Sequence, residues 1–333
     1  MSTVDGSDYD CLLDVRLHDR RRFRGCARLR SGSQWTRNES EPRCGKRSTV
    51  QIRLATCTLL PEPDADRAPL AAAFERAGIE AQWLAWDDPT VDWETSLPTI
   101  VRSTWNYHQH RAAFLRWCER VAWRSPFWNP PDVIRMNTHK SYLLELARRG
   151  VQTVPTHLIT QSSAAPRVAD LAWKRVVVKP AVAASSVGAV EFRGDDPGAD
   201  AHVAELQGHG DVLVQPFMES IHHEGEHSLI WIDGALTHQI RKAPRFAGQP
   251  ENVTGPHPIE ADVKRLALAA LGPLQDRILY GRIDVVRGPN GEPLIMELEL
   301  TEPSLFFEFG PGSADRYVSG VRRRLAGGSR KAR

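Results

Sequence analysis

Hydrophobic and polar residues recur along the chain in a pattern that predicts strands and helices in turn from residue 50 onward. Strands are predicted at "QIRLAT", "IEAQWLAW" and "TIVRSTW", and amphipathic helices at 65–77 and at "HRAAFLRWCERV". Strands separated by helices of this length are typical of βαβ units and a parallel sheet. We therefore predict a Rossmann-like α/β domain over residues 50–125, ending at the proline-rich stretch "SPFWNPPDVI" near residue 126.

The second part of the chain, residues 126–325, has a different order of elements. A helix is expected from an Asn137 cap to Arg149, with Gly150 closing it. Four predicted strands follow, at "RVVVKPAV", "DVLVQPFM", "HSLIWIDG" and "ALTHQIRKA". The helix "EADVKRLALAAL" then precedes two last apolar runs, and this order predicts an α+β domain followed by a disordered tail at 326–333.

The two last apolar runs enclose "GPNG", whose Asn-Gly pair predicts a hairpin with a two-residue loop. In that register Asp284 faces Glu297 and Arg282 faces Glu299, and all four side chains lie on one face. Three carboxylates beside one guanidinium repel each other and are costly to desolvate, so a bound cation is expected. Carboxylate oxygens are the ligands that Mg²⁺ takes when it also holds phosphates.

The alternative is an exposed sheet face that carries ordinary surface charge. Apolar neighbours on both strands, such as Ile283, Val285, Ile295 and Leu298, favour a central position in the sheet instead. The sequence therefore favours a magnesium site at this hairpin.

Two lysines have neighbours that favour anion binding. Lys179 ends the apolar strand "VVVKP" and precedes the small-residue loop "AVAASSVGA", whose backbone N–H groups can close on an anion. Lys140 is expected in the first turn of its helix, where the helix dipole disfavours cations unless an anion approaches. Each signal is weak alone, because lysines commonly end strands and small-residue loops are often only flexible.

The segment "LVQPFM" is predicted to be a hinge between two sheets whose backbone pairs with an adenine edge. Glu226 follows it within "HHEGEHSLIW", where an ordinary surface loop is the alternative. The three histidines there, His222, His223 and His227, invite a metal interpretation, but we favour a solvated loop.

Composition indicates a soluble protein of ordinary type. The 333 residues are 41% hydrophobic and 25% charged, and neither an apolar run of about 20 residues nor a signal peptide is present. Five scattered cysteines form no Cys-x-x-Cys pair, which favours a reducing cytoplasm over a disulfide framework or a zinc site. We therefore expect a cytoplasmic protein with no membrane partner.

The first 49 residues differ from the rest in charge and pattern. Residues 1–50 contain ten Arg and one Lys against five Asp and two Glu, and apolar periodicity is absent. A nucleic-acid-binding arm is one interpretation. We favour a disordered or artefactual extension, with Val50 as the natural first residue read from a GTG start codon, and we expect no nucleic-acid partner.

Taken in order, Lys140, "VVVKP" with its small loop, "QPFM", "GEHSLIWIDG", "IRKAP", "GRIDVV" and "MELELTEP" resemble the ATP-grasp superfamily. The similarity covers roughly residues 126–325 and is greatest to members like glutathione synthetase and D-alanine–D-alanine ligase. It implies an ATP-grasp fold behind the Rossmann-like domain, ATP and two Mg²⁺ ions as cofactors, and, by analogy, a homodimer.

The resemblance also implies roles for individual residues. Lys140, Lys179 and the loop residues Ser185, Ser186 and Gly188 would bind ATP phosphates. The adenine would lie against Gln215, Pro216, Phe217 and Met218, and the ribose against Glu226. Asp284, Glu297 and Glu299 would hold Mg²⁺, Lys242 would bind a phosphate, and Arg282 would meet the reacting carboxyl or acyl phosphate.

Two departures from the superfamily pattern stand out. Glu299 occupies a position where relatives usually have Asn, which adds a negative charge near the metal. The loop after Lys179 has Ala and Ser where relatives have more Gly, which favours a stiffer closure.

The chemistry implied is ATP-dependent activation of a carboxylate for attack by a nitrogen nucleophile. "VRSTWNYHQH" ends a predicted parallel strand, so Arg102, Ser103, Thr104 and Tyr107 are candidates to contact a small amino-acid-like substrate. A purely structural strand end is the alternative.

Together with "MELELTEPSLFF", the segment "RSTWNY" resembles ligases that cyclise O-ureido-D-serine to D-cycloserine, in antibiotic biosynthesis. An intermolecular carboxylate–amine ligase, an ATP-grasp kinase and a non-catalytic nucleotide-binding protein remain the alternatives.

Overall fold

The computed structural model describes residues 50–184, 187–243 and 252–328. Its first sheet has four parallel strands in the order β2-β1-β3-β4. They are β1 (Val50–Thr56), β2 (Ile79–Ala85), β3 (Thr99–Val101) and β4 (Phe127–Trp128). The parallel sheet predicted from the βαβ pattern is confirmed.

Two helices cover opposite faces of the first sheet. Helix α1 (Arg67–Arg76) packs against Leu54, and helix α2 (Arg111–Arg124) packs against the next residue, Ala55. This alternation follows from strand geometry, because successive side chains point to opposite faces. Since β4 belongs to the first sheet, that sheet continues past residue 126, the predicted domain boundary.

The second sheet has four strands in the order β5-β8-β6-β7, each antiparallel to its neighbours. The strands are β5 (His157–Ile159), β6 (Arg175–Pro180), β7 (Val190–Arg193) and β8 (Val212–Pro216). Helices α3 (Pro131–Asn137) and α4 (Tyr142–Arg148) precede this sheet, and helix α5 (Pro197–Gln207) packs on it through Ala199 and Val203.

The third sheet is antiparallel and has the order β11-β10-β9-β12-β13. Its strands are β9 (Glu226–Ile232), β10 (Ala235–Lys242), β11 (Val253–Thr254), β12 (Tyr280–Arg287) and β13 (Pro293–Glu299). Its neighbouring helices are α6 (Ile221–Glu224), α7 (Ala261–Leu271) and α8 (Ser313–Gly328). Tyr317 and Val321 of α8 share one core cluster with β1 and β9, which joins the first and third sheets.

Asn137 has a different role from the predicted helix cap. It is the last residue of α3, and α4 begins only at Tyr142. The buried amide of Asn137 donates to the carbonyl of Leu298 at 2.6 Å and accepts from the N–H of Leu300 at 2.7 Å. It therefore secures the end of β13, while Gly150, with a φ of +79°, closes α4 as expected.

The hairpin of β12 and β13 has the predicted pairing at its far end and a different loop. Asp284 faces Glu297 and Arg282 faces Glu299, which is confirmed. The predicted two-residue loop is wrong, because Gly288 pairs with Glu292 and three residues, 289–291, make the turn. Met296 is an extra residue in β13, and this bulge restores the pairing of the acids.

Parts of the predicted organisation lie outside the described residues. These are the extension at 1–49, Ser185 and Ser186, and residues 329–333 of the tail; residues 326–328 belong to helix α8. Across the described ranges, none of the helices combines the length and apolar character required to cross a bilayer.

Candidate active site

A cavity of about 370 Å³ is lined by residues of the second and third sheets and by the loops that follow β3 and β13. This volume lies within the usual range for small-molecule sites. Nine of the predicted site residues line it: Tyr107, Lys140, Lys179, Glu226, Lys242, Arg282, Asp284, Glu297 and Glu299. The cavity therefore brings together charged residues that lie up to 159 positions apart in the chain.

Two lysines from different elements meet one carboxylate of the hairpin. The ammonium groups of Lys140 and Lys179 lie 2.7 and 2.9 Å from the two oxygens of Glu297. Burial alone would raise the pKa of Glu297, but the two lysines hold that pKa well below its usual range. Burial lowers the pKa of Lys140, and the charge of Glu297 more than reverses this.

Arg282 joins the other two acids of the hairpin. Its guanidinium donates to both oxygens of Asp284, at 2.9 and 3.0 Å, and to Glu299 at 2.5 Å. Burial would raise the pKa of Asp284, but Arg282 and Lys242 together hold it below its usual value. Burial raises the pKa of Glu299, with Arg282 opposing.

Lys242 and Glu226 form a third ion pair. They face each other across β9 and β10, their charged groups are in contact, and Lys242 also lies 3.6 Å from Asp284. Burial raises the pKa of Glu226 to about 7 against the charge of Lys242. Each hairpin acid and Glu226 thus has a cation of the protein beside it.

The acids were also predicted as metal ligands. Within the described ranges, no three His, Cys or acidic residues have the spacing of a metal site. His222 and His223 are exposed on α6, and His227 Nδ1 accepts from the side-chain amide of Gln239. Asp284, Glu297 and Glu299 nevertheless present hard carboxylate oxygens on one buried face, which is the donor set that Mg²⁺ prefers once phosphates engage the cations.

The predicted adenine segment does not line the cavity. Gln215 is buried and donates to Thr156 at 2.8 Å, and Met218 packs in an apolar cluster with Val154, Val286 and Leu294. Phe217 contacts the Arg175 guanidinium with its ring and also the ring of His222, and Pro216 ends the pairing of β8 with β6. Apolar lining comes instead from Val177, Ile221 and Met296, which the sequence analysis did not select.

The small-residue loop contributes neighbours of Gly188 and not Gly188 itself. Ala183, Ala184, Val187 and Ala189 line the cavity. Gly188 has a φ of +75°, and a Cβ there would lie 2.9 Å from the ring of Pro180. Its close approach to that ring requires glycine.

Three of the four predicted substrate residues lie behind the cavity wall. Arg102 is 2% exposed, donates to Asp66 at 3.0 Å and donates to the carbonyl of Pro303. Ser103 hydrogen-bonds with Thr56 at 3.0 Å, and Thr104 is fully buried. Among the four, Tyr107 alone lines the cavity, and burial raises the pKa of its hydroxyl well above the usual value.

Six other lining residues were not among the site residues predicted from the sequence. They are Glu62, Trp105, Asn137, Tyr142, Glu302 and Ser304. Glu302 follows Glu299 by three residues within "MELELTEP", so its proximity to the hairpin acids was available from the sequence.

A curated relative decides the family. The cycloserine biosynthesis protein DcsG of Streptomyces lavendulae is 32% identical over 285 residues, which are 79% of this chain and 94% of that protein. The chain belongs to the DcsG family of ATP-grasp ligases. The model of the N-terminal domain of D-cycloserine synthetase DcsG also matches residues 52–129.

Solved structures agree with membership in the DcsG family. The crystal structure of D-cycloserine synthetase DcsG has a TM-score of 0.74 and 30% identity, over 83% of this chain and 99% of that chain. D-alanyl-alanine synthetase A of Vibrio cholerae O1 biovar eltor str. N16961 has a TM-score of 0.61 and 14% identity, over 84% and 99%. The ATP-grasp ligase PsnB, solved with Mg and ADP, has a TM-score of 0.55 and 16% identity, over 82% and 97%.

The last two similarities show the fold alone. Together with the DcsG relatives they confirm the predicted ATP-grasp fold behind a Rossmann-like domain. As a DcsG-family member, the protein is an ATP-dependent ligase.

Proposed function

We propose that this protein is an ATP- and Mg²⁺-dependent ligase that cyclises O-ureido-D-serine to D-cycloserine. The observation that carries the proposal is the charge pattern of the cavity, where Lys140, Lys179, Lys242 and Arg282 surround three acids on one sheet face. Membership in the DcsG family supports the substrate, because its curated relative is a cycloserine biosynthesis protein.

The proposed reaction has three balanced steps. A carboxylate oxygen of the substrate takes the γ-phosphoryl group of ATP, which gives an acyl phosphate and ADP. The ureido nitrogen bonded to oxygen then attacks the acyl carbon, the ring closes and phosphate leaves. Water removes the carbamoyl group as carbon dioxide and ammonia. Overall, O-ureido-D-serine, ATP and water give D-cycloserine, ADP, phosphate, carbon dioxide and ammonia.

The cations of the cavity are proposed to offset the charge of the transferring phosphoryl group. Lys140 and Lys179 each contact one carboxylate oxygen of Glu297, and Lys242 lies beside Asp284. Phosphoryl transfer depends mainly on positioning and electrostatics, so fixed cations in a buried cavity are suited to it. Arg282, held by Asp284 and Glu299, is placed to orient the reacting carboxyl group.

Asp284, Glu297 and Glu299 would hold two Mg²⁺ ions when the nucleotide is bound. The metal would neutralise phosphate oxygens and polarise the γ-phosphoryl group. For this to occur, Lys140 and Lys179 must exchange Glu297 for phosphate oxygens, which keeps each charge paired in both states.

Apolar residues are proposed to accept the adenine ring. Val177, Ile221 and Met296 line the same cavity as the charged residues, and each belongs to a different element. Glu226, at the start of β9, is proposed to accept hydrogen bonds from the ribose. The predicted residues Gln215 to Met218 would then support this wall from behind.

The test measures ADP and phosphate release with Mg²⁺-ATP and O-ureido-D-serine, its L-enantiomer or D-alanine, with mass spectrometry of the products. We expect ADP, phosphate and D-cycloserine from the D-ureido compound. A phosphorylated product that accumulates would indicate a kinase, and an amide formed from D-alanine would indicate an intermolecular ligase. Absence of ADP with all three acids contradicts the proposed substrate class.

A further inference from the structure

The cavity contains a carboxylate that the ion pairs described above do not include. Glu226, Asp284, Glu297 and Glu299 each contact a lysine or arginine. Glu302 also lines the cavity, but in the described part of the chain its carboxylate pairs with no lysine or arginine. Its hydrogen-bond donor there is its own backbone amide.

The backbone around Glu302 is held from two directions. Trp105 Nε1 donates to the carbonyl of Glu302 at 3.0 Å, and Arg102 donates to the next carbonyl, that of Pro303, at 3.3 Å. From the hairpin side, Arg282 donates to the carbonyl of Ser304 at 3.3 Å. Three consecutive carbonyls are therefore bound by side chains, which fixes the position from which the Glu302 side chain extends.

The same segment is also held through its amides. Asp66, itself 2% exposed, accepts from the N–H of Leu305 at 2.5 Å and from that of Phe307 at 3.1 Å. These contacts fix the backbone of the segment, so the half-buried Glu302 side chain extends from a fixed position on the cavity wall.

An unpaired carboxylate in such a place is unfavourable. Burial, and then the charge of Glu299, raises the pKa of Glu302 well above its usual value, while Lys140 and Arg282 oppose this. A ligand that carries an ammonium group would supply the missing cation and a charge-assisted hydrogen bond.

The arrangement also has the right polarity for a zwitterion. Arg282, the proposed partner of the reacting carboxyl group, binds the backbone two residues beyond Glu302. Arg282, which would bind the substrate carboxylate, thus contacts the same short segment that carries Glu302, which would bind the substrate ammonium group. This charge pattern is complementary to an α-amino acid.

We propose that Glu302 binds the α-ammonium group of the amino-acid substrate and makes the enzyme select acids that carry a free amino group. This inference rests on the proposed ligase function. Glu302 is a specificity residue in this account, and the phosphoryl-transfer groups remain those described above.

The test is a binding cycle by calorimetry that requires no turnover. Wild type and Glu302→Gln are each titrated with O-ureido-D-serine and with its analogue lacking the amino group, in the presence of Mg²⁺ and a non-hydrolysable ATP analogue. We expect Glu302→Gln to bind the amino compound about 10- to 100-fold more weakly, the range for a hydrogen bond to a charged group. The desamino analogue should bind both proteins equally, within about threefold.

Two further variants separate charge from structure. Glu308→Gln changes an exposed glutamate six residues away and should leave both affinities unchanged. Glu302→Asp keeps the charge and should recover part of the preference for the amino compound. Thermal unfolding of each variant shows whether it is folded.

Failure of the proposed role of Glu302 and failure of the ligase function give different results. Wild type that shows no preference for the amino compound overturns the inference, as does an equal loss for both compounds in Glu302→Gln. Loss of the preference in Glu62→Gln alone would also overturn it, because Glu62 also lines the cavity. The ligase function fails on a separate reading, the absence of ADP release by the wild type.

Discussion

Asp284 faces Glu297 across the hairpin because Met296 forms a bulge in β13. On the loop side of the bulge, Val285 pairs with Ile295, and a regular strand would continue with Met296 opposite Asp284. Glu297 would then lie on the other face, since side chains alternate along a strand. The extra residue therefore brings the acids to one face.

Asp284→Asn tests the proposed metal role of this pair. We expect turnover to fall about 100-fold or more, because an amide replaces a charged ligand at the phosphoryl-transfer site. The Mg²⁺ concentration needed for half-maximal activity should rise, while ATP binding measured without Mg²⁺ should persist.

The matched control is Asp276→Asn, which makes the same chemical change at an exposed residue and should leave activity unchanged. An Asp284→Asn enzyme with wild-type turnover and Mg²⁺ dependence would contradict the metal assignment.

Lys140 and Lys179 should support Glu297 jointly. Each single change to Met leaves Glu297 one lysine partner, whereas the double variant leaves a buried carboxylate unpaired. We expect the double variant to lose about 3–5 kcal/mol of stability, more than the sum of the two single losses. Denaturant unfolding of the nucleotide-free proteins measures this.

Each single lysine variant should also raise the KM for ATP roughly tenfold, as expected for one lost charge-assisted contact. Lys264→Met, on the exposed face of α7, is the control for both measurements. Additive stability losses would mean that the two lysines act independently of Glu297.

Acid should remove the stability that Glu297 provides. Its pKa in the folded protein is depressed below the ordinary value of 4.5 by Lys140 and Lys179. A depressed carboxyl pKa contributes stability above the unfolded value, and that contribution is lost as the pH falls below it. The Tm difference between wild type and Glu297→Gln should therefore shrink from pH 6 to pH 3, by thermal unfolding without nucleotide. A constant difference would contradict the ion pairs.

Arg102 offers a test between a structural role and substrate binding. It forms a buried ion pair with Asp66, and both side chains are 2% exposed. Arg102→Met leaves Asp66 without that cation, so we expect a loss of about 3–5 kcal/mol in unfolding free energy.

Arg76→Met removes the exposed pair with Asp315 and should cost less than about 1 kcal/mol. If Arg102 bound substrate directly, its variant would keep stability and lose substrate affinity alone.

Local sequence signals predicted nine strands and the facing acids of the hairpin, but not the short strands β4, β5, β7 and β11. Strand periodicity and the Asn-Gly pair predicted β12 and β13 with Asp284 opposite Glu297. Periodicity cannot reveal the bulge at Met296, however, because the bulge and the three-residue loop shift the pairing by one residue in opposite directions. The correct pairing thus followed from a wrong loop.

The electrostatics of the site required the tertiary structure. From the sequence, only Arg282 could be placed beside the acids, which indicated that an added cation was needed. Lys140, 157 residues from Glu297 in sequence, and Lys179 neutralise that acid in the folded chain. Such long-range pairs leave no local pattern, so they could not be predicted from spacing.

Helices α3 and α5 were not predicted, although residues typical of helix starts precede or begin both. Pro131 at the first position of α3, and Asp196 before Pro197 at the start of α5, are common helix-start residues. The direction in which the Gln215 side chain points had no such local signal, because strand alternation alone does not say which face of β8 meets the cavity.

The central claim is that the enzyme activates the substrate carboxylate by phosphorylation. O-ureido-D-serine labelled with ¹⁸O in both carboxyl oxygens, incubated with the wild-type enzyme and Mg²⁺-ATP, tests it directly by mass spectrometry of the released phosphate. The account predicts one ¹⁸O in each phosphate, since a carboxyl oxygen leaves with the phosphoryl group when the ring closes. Phosphate that carries no ¹⁸O would contradict the claim.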